Sequence, residues 1–456
     1  EKQALAQLQK LKAKYKGTPM EPEMLLREAE LYMRRARSER FFEIHKTSDN
    51  VVKFAPSMVK AASEKKEVSS AIGILESIQK KFPEFRAIDV VLFNEAYAKQ
   101  QIGDDKGADL LYQKLVNQHS ESSLVPDALL AIGEIRYDQK KFADALEYFK
   151  KIRQFPEARV YPYAMYKGAW CYYNLQNASS GLKELEEVVR YGHAMAKQNV
   201  DLKLDLRKEA LGDMTLFFAE FMPASRAVAY FTQQAGPLDA APYILKLGKL
   251  YGHHGKTAEV EVVLREFISS YPKSDTVPAA YEELIWNNEK MRKRPEAVAQ
   301  MAEFSRYCAK NEERKVECQT RLGGAAKALA NKWHALWKTK MIPPELADSA
   351  EEAYSIYLGN KEPNDPEENQ NRFAFAELLF KRQKFRQSSD EYAEIANHKP
   401  DKQMGHDAAY GAIVGLEKSV PGKWGKKEEK RFVQLAEVYL RVYPQGEYAL
   451  DIRFKQ

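Results

Sequence analysis

One phrase recurs along the chain: a small residue, a large apolar residue four positions later, and a proline twelve positions after the small one. The clearest copies are Ala71 with Leu75 and Pro83, Val260 with Leu264 and Pro272, and Ser388 with Tyr392 and Pro400. A repeat of thirty-odd residues indicates many copies of one supersecondary unit, because each copy buries its apolar face only against its neighbours. The repeat therefore predicts a stacked array rather than one globular core.

The apolar residues recur at spacings of three and four, as in Ala145, Phe149 and Ile152, which is the period of an amphipathic helix. Sustained alternation of β-branched residues and Asn-Gly turns, the signals of strands, are almost absent. We therefore predict an all-α protein of short helices. The small residue lets paired helices approach each other, and the proline ends the second helix because it lacks an N–H donor.

The small position of the phrase marks the second helix of each predicted hairpin. Ten such positions occur: Ala71, Ala108, Ala145, Gly181, Ala227, Val260, Ala297, Ala350, Ser388 and Phe432. The last is the weakest match, because phenylalanine is large. Two intervals are long, and for these we predict an extended loop or lengthened helix at residues 194–206 and a long helix over residues 312–340.

We predict an N-terminal helical hairpin within residues 1–50, built from segments 3–15 and 23–45. The first part of the array is predicted at residues 51–309. The second part, with the long helix and a truncated last unit, is predicted at residues 310–456. The chain begins without methionine and ends on what reads as the start of another helix, so we expect a segment of a longer protein.

These repeats resemble the tetratricopeptide repeat family over most of the chain from about residue 60 onward. The matching residues are Ile132-Gly133 with Phe142, Ala145 and Phe149, then Ala169, Tyr172, Gly181, Leu182 and Leu185, then Leu247-Gly248, Tyr251, Gly255 and Pro272. The resemblance implies an α-solenoid of stacked antiparallel helical hairpins that forms a right-handed superhelix. Arg136 departs from the family pattern, where an aromatic residue is usual, and Gly181, Val260 and Ser388 stand where alanine is usual.

The junctions between repeats resemble those of bacterial cell-envelope proteins, such as outer-membrane assembly and Tol-associated lipoproteins. They read Phe155-Pro156-Glu157-Ala158, Tyr271-Pro272-Lys273-Ser274 and Tyr443-Pro444-Gln445-Gly446. The stretch from Val160 to Leu175 is also similar to long repeat proteins linked with gliding motility. This resemblance implies a place in the periplasm or cell envelope, with the cytoplasm as the alternative.

Composition and motifs argue against several classes of function. Lysine and arginine total 71 and aspartate and glutamate total 65, an excess too small and too dispersed to favour nucleic-acid binding. The sequence has no run of eighteen apolar residues, so it predicts no membrane-spanning helix. Zinc-protease, phosphate-loop and serine-hydrolase motifs are all absent. We expect neither catalysis nor a bound cofactor or metal ion.

The chain has three cysteines, too few for a disulfide scaffold. Residues 311–315 read as a polar turn between two helices, which would place Cys308 and Cys318 at similar distances from the turn. A disulfide between them requires Cα atoms about 5.5–6 Å apart, and two half-buried free thiols are the alternative. A bridge would favour an oxidising compartment.

In the family, the first helix of each hairpin lines the concave wall and contacts the partner. The equivalent positions here are Glu134, Tyr137, Tyr163, Tyr166, Trp170, Tyr173, Asn174, Trp286, Phe373, Glu377 and Phe380. Four of these aromatic residues, from Tyr163 to Tyr173, form one helical stripe that either binds the partner or packs on the next hairpin. The lysine and asparagine clamp that cytosolic co-chaperones of the family use for acidic peptide termini is absent.

These features predict a non-enzymatic scaffold of the bacterial cell envelope, in motility or envelope assembly, that binds a protein or peptide partner in its concave groove as part of a larger complex. The alternative is the non-catalytic arm of a larger envelope enzyme, such as one acting on peptidoglycan. Nucleic-acid binding through the helical surface is a third possibility, which a salt titration would test.

Overall fold

The computed structural model describes residues 2–36, 43–46, 52–55, 58–198, 205–340, 344–397 and 402–456. The helices are α1 (Lys2–Lys14), α2 (Glu21–Arg35), α3 (Ala62–Lys81), α4 (Ile88–Gln101), α5 (Asp105–Gln118), α6 (Val125–Asp138), α7 (Phe142–Lys151), α8 (Tyr161–Asn174), α9 (Ala178–Lys197), α10 (Arg207–Phe221), α11 (Ala227–Ala235), α12 (Ala241–His253), α13 (Thr257–Ser270), α14 (Val277–Lys290), α15 (Arg294–Lys310), α16 (Lys315–Cys318), α17 (Gly324–Lys340), α18 (Pro344–Asn360), α19 (Glu368–Lys381), α20 (Phe385–Asn397), α21 (Lys402–Ser419), α22 (Lys426–Val442) and α23 (Ala449–Lys455). Short 3₁₀ turns lie at Ile152–Gln154, Ala224–Arg226 and Glu312–Arg314, and a π-helical turn lies at Gln319–Gly323.

The chain divides into two compact units, residues 1–223 with 233–236, and residues 224–232 with 237–456. Within the first unit, α4 pairs with α5, α6 with α7 and α8 with α9, and each pair packs on the next. Within the second unit, α12 pairs with α13, α14 with α15, α17 with α18, α19 with α20 and α21 with α22. This sequential stacking confirms the prediction of an all-α solenoid of helical hairpins.

The ten marker positions all lie on helices, and all are buried. As expected, α3 and α13 end two residues before Pro83 and Pro272. The partner helices approach closely: a Cβ added at Gly133 would lie 2.5 Å from the ring of Phe149 on α7. Small residues are therefore required on the first helix of a hairpin as well as on the second.

Three-residue turns join the two helices of six hairpins, and the middle residue of each has a left-handed backbone. These residues are Gly103, Lys140, Gln176, Gly255, Arg292 and Gln383, with φ between 59° and 88°. In the turn after α6, the N–H of Lys141 donates to the carbonyl oxygen of Arg136 at 2.9 Å. Such a bond satisfies a carbonyl at the end of the first helix and reverses the chain direction.

The N-terminal region differs from the sequence prediction. The helix predicted over residues 23–45 is present as α2 but ends at Arg35, so its predicted extension to residue 45 is wrong. Strands β1 (Glu43–Lys46) and β2 (Val52–Ala55) follow it and pair antiparallel, with Glu43 opposite Ala55. They lie in sequence between α2 and α3, which pack against each other. The alternation of Glu43-Ile44-His45 was too short a signal to predict a strand.

The structure tests in part the predictions for the two long intervals between repeats. Helix α9 is lengthened and runs to Lys197, while residues 199–204 lie outside the described part of the chain. The helix predicted over residues 312–340 is interrupted by the π-helical turn before α17. The predicted domain boundary at residues 309–310 stays a prediction and lies inside the second unit. Of the helices in the described ranges, none is both long and apolar enough to cross a bilayer.

Candidate partner-binding site

The stripe of aromatic residues on α8 packs largely inside the first unit. Tyr163 and Tyr166 are completely buried, and Trp170 is 9% exposed. The hydroxyl of Tyr166 donates to Asp213 on α10 at 2.5 Å, and the ring of Trp170 meets Phe217 edge-on at 5.4 Å. Tyr163 instead donates to Glu134 on α6. All three residues were predicted to line the groove, but they contact neighbouring helices and offer little surface to a partner.

Glu134 was also predicted to face the groove, and it is 1% exposed. Its carboxylate lies 3.3 Å from the ammonium of Lys167, which is equally buried, and accepts a hydrogen bond from Tyr163 at 3.2 Å. The same ammonium lies 3.5 Å from the ring centroid of Tyr137. Glu134 is therefore part of a buried polar network between α6 and α8.

The C-terminal end of α8 is more open. Asn174 is exposed and donates to the hydroxyl of Tyr137 at 3.4 Å. Tyr173 is half-buried and donates to Glu220 at 3.2 Å; burial and that carboxylate raise the pKa of its hydroxyl. Tyr173 lines a 440 Å³ pocket with Phe221, whose side chain is 46% exposed. Of the predicted stripe, only this end is accessible.

The three predicted residues on α19 lie at the edge of their hairpin, half-buried. The ring of Phe373 packs edge-on against Tyr392, and that of Phe380 packs edge-on against Phe385. The carboxylate of Glu377 lies 3.1 Å from the ammonium of Lys338. These residues mainly hold α19 against its neighbours.

Trp286, the remaining predicted residue, is half-buried and lines an open pocket of about 670 Å³ in the second unit. Helices α14, α15, α17 and α18 form its walls. Leu336 and Leu346 line the pocket with Trp286 and make part of its wall apolar. Among the predicted groove residues, Trp286 combines an accessible aromatic face with a cavity of useful size.

The rim of this pocket, which we call the Trp286 pocket, is rich in basic side chains. Lys290, Arg292, Arg294 and Lys332 line it. Two carboxylates, those of Glu289 and Glu345, line it as well. Sequence reasoning missed these basic residues, although the run from Lys290 to Arg294 in the turn between two helices was the available signal.

A tetratricopeptide repeat family model matches residues 127–158, which span α6, α7 and the turn between them. The same hairpin geometry recurs in the stacked helices of both units. Residues 127–158 therefore form a tetratricopeptide repeat. No curated protein sequence matches the chain.

The chain is also similar to several solved structures, at low identity and low TM-score. A tetratricopeptide repeat protein from Parabacteroides merdae is 12% identical, with a TM-score of 0.28, over 84% of this chain and 98% of its own. The structure of Naa15/Naa10 bound to HypK-THB is 13% identical, with a TM-score of 0.34, over 99% of this chain and 66% of its own. The APC/C hetero-tetramer Cut9-Hcn1 is 11% identical, with a TM-score of 0.32, over 86% of this chain and 94% of its own. Such distant matches carry no functional assignment.

The cysteines of the repeat array fall into two classes. Cys308, on α15, is paired with Cys318, on α16, with Cα atoms 5.9 Å apart across the polar turn. Cys171 is a free, buried thiol, and burial raises its pKa to about 12. A thiol held in its protonated form is a poor nucleophile. In the described residues, no cluster of three or more histidine, cysteine, aspartate or glutamate side chains could hold a metal ion.

Proposed function

We propose that this chain is a non-enzymatic scaffold that holds a segment of a partner protein against its tetratricopeptide repeats, within an assembly of the bacterial cell envelope that serves motility or envelope assembly. The observation that carries the proposal is the Trp286 pocket. It presents a tryptophan, the residue type most enriched at binding hot spots, inside a cavity of about 670 Å³.

A protein segment suits this pocket better than a compact small molecule. The cavity is open and is walled by four separate helices, so it can admit one or two side chains of an extended chain. Its walls belong to packed helices, and rigid walls reduce the entropy that is lost on binding. Stacked repeats supply a continuous surface on either side for the rest of the segment.

Two features support an envelope location. The disulfide between Cys308 and Cys318 belongs to the class of bonds that persist in oxidising compartments such as the periplasm. The Phe-Pro and Tyr-Pro junctions between repeats resemble those of envelope proteins. The cytoplasm is the alternative that the experiment below must exclude.

Site-specific photo-crosslinking in the source cells tests the proposal. A photo-reactive amino acid at Trp286 should give a discrete adduct with another protein, recovered from the periplasmic or envelope fraction and identified by mass spectrometry. The same amino acid at Leu238, which is 93% exposed and lies away from the pocket residues in sequence, is the control. Absence of an adduct at Trp286, or the same adducts at both positions, would contradict binding. An adduct confined to the cytoplasm would contradict the location alone.

A further inference from the structure

Resting on the proposed function, we propose that the Trp286 pocket binds an acidic segment of the partner, in which an aspartate or glutamate side chain lies next to an aromatic or aliphatic one. The carboxylate would lie between Arg292 and Arg294, and the apolar neighbour would pack on Trp286.

The two arginines are the basic side chains of the pocket that no ion pair in the described part of the chain neutralises. Neither forms an ion pair with a carboxylate of the described ranges. The Nε of Arg294 is buried and has no acceptor among the described atoms. A buried donor without an acceptor is unfavourable, and a carboxylate that accepts from a guanidinium can satisfy two donors at once. The arrangement therefore favours a ligand that brings an oxyanion.

The other charged groups of the pocket are already engaged or exposed. Glu289 lies 2.7 Å from Lys332 and accepts from the indole N–H of Trp333 at 2.8 Å. Lys290 donates to the carbonyl oxygen of Gly252 at 3.2 Å. Glu345 is exposed on the rim, where solvent screens its charge. Arg292 is exposed in the same way, so, among the described residues, two unpaired arginines against one unpaired carboxylate leave the pocket with an excess of positive charge.

The apolar wall selects an amphipathic ligand. The apolar part of the pocket is lined by Trp286, Leu336 and Leu346. A free inorganic anion bound at the arginines would leave this apolar part unfilled. A nucleic acid would need a continuous basic track for successive phosphates. On α14, one turn before the pocket, Glu282 pairs with Arg321 and Glu283 lies 3.9 Å from Lys290, so this side of the pocket adds no free positive charge to such a track. An acidic peptide with an apolar side chain fits both features.

Selection from a random peptide display library tests this inference with the intact chain. Peptides retained by the wild type should be enriched in Asp and Glu adjacent to Phe, Trp, Leu or Ile. The best retained peptide, labelled with fluorescein, should bind at least about tenfold more tightly than its counterpart with Gln for Glu and Asn for Asp. The double variant Arg292→Gln/Arg294→Gln should lose that preference.

Matched controls separate local from general electrostatics. Gln occupies the same left-handed turn position at Gln176 and Gln383, so Arg292→Gln suits the backbone. The variant Lys249→Gln/Lys273→Gln removes the same charge at exposed positions outside the pocket and should keep the preference. An equal loss in this control, or tighter competition by a single-stranded oligonucleotide, would overturn the inference.

The outcome also distinguishes the two proposals. Selected peptides that lack acidic residues, yet lose binding in Trp286→Ala, would leave the scaffold proposal intact and overturn the acidic ligand. Failure to enrich any peptide, together with no adduct at Trp286, would overturn both. Thermal unfolding followed by circular dichroism must show that each variant is folded before its binding is compared.

Discussion

The buried pair of Glu134 and Lys167 offers the sharpest test of how the repeats pack. At 3.3 Å and an effective dielectric constant of about 20, their attraction is about 5 kcal/mol. Desolvation of two buried ions costs several kcal/mol each, so the intact pair contributes little net stability. Replacing only one partner is different, because the other charge stays buried. We therefore expect Lys167→Met to lower the free energy of unfolding by about 3–5 kcal/mol.

The double variant Lys167→Met/Glu134→Gln should recover most of this loss, since no buried charge remains and the glutamine oxygen can still accept from Tyr163. An exposed pair with a similar separation, Lys150 and Glu147 at 3.1 Å, provides the control. There, Lys150→Met should change stability by less than about 1 kcal/mol.

Urea unfolding followed by far-UV circular dichroism measures these differences, and hydrogen exchange of peptides from α6 and α8 shows whether the loss is local. A loss in Lys167→Met no larger than that in Lys150→Met would refute the reasoning. The carboxylate of Glu134 would then be solvated, as a groove-lining residue should be. Failure of the double variant to recover would instead mean that Lys167 acts through its packing on Tyr137.

Three further predictions concern the turns, the disulfide and pH. Gly255→Ala should lower the free energy of unfolding by about 1–2 kcal/mol in urea titrations, because φ is +71° and no neighbouring atom lies within 4 Å of an added Cβ. The cysteines of the Cys308–Cys318 disulfide are ten residues apart, and its reduction should lower the free energy of unfolding by about 2–3 kcal/mol, measured with and without dithiothreitol. Burial lowers the pKa of His334 to about 4, so the unfolded chain binds a proton more readily than the folded chain does. The free energy of unfolding should therefore fall as the pH drops from about 6.5 towards 4, and thermal unfolding across that range measures it.

Each of these three predictions has a matched control variant. Gly255→Asn should be milder than Gly255→Ala, because asparagine tolerates a left-handed backbone, and equal losses would point to a cause other than backbone strain. The variant Cys308→Ser/Cys318→Ser should not respond to dithiothreitol, and a persistent response would assign the effect elsewhere. His334→Gln should lose part of the pH dependence between 4 and 6.5. An unchanged profile would mean that other groups cause it.

The helical array could be predicted from the sequence because its signal is local and repeated. Each small residue, each apolar spacing and each proline acts within one hairpin or against the next, so the pattern survives without knowledge of the rest of the chain. The β-hairpin after α2 escaped prediction, since four-residue strands carry too little pattern to outweigh a helical expectation. The π-helical turn before α17 has no comparable signal.

The candidate site was less predictable. A helix exposes one face to the groove and buries another, and the boundary between them depends on how neighbouring hairpins rotate. Tyr166 and Trp170 share a helical face with Tyr173, yet both pack against α10 and are buried, whereas Tyr173 stays half-buried. At Trp286 the aromatic residue was predicted, but the arginines around it were not.

The sequence by itself determined the hairpin unit, the positions of its close contacts and the cysteines able to meet across a short turn. All of these depend on residues that are near one another in the chain. Only the tertiary structure decided which polar groups are buried and which charges lack a partner, because those depend on helices brought together from distant hairpins. The carboxylate of Glu134 became part of a buried network, whereas Arg292 and Arg294 were left facing a cavity.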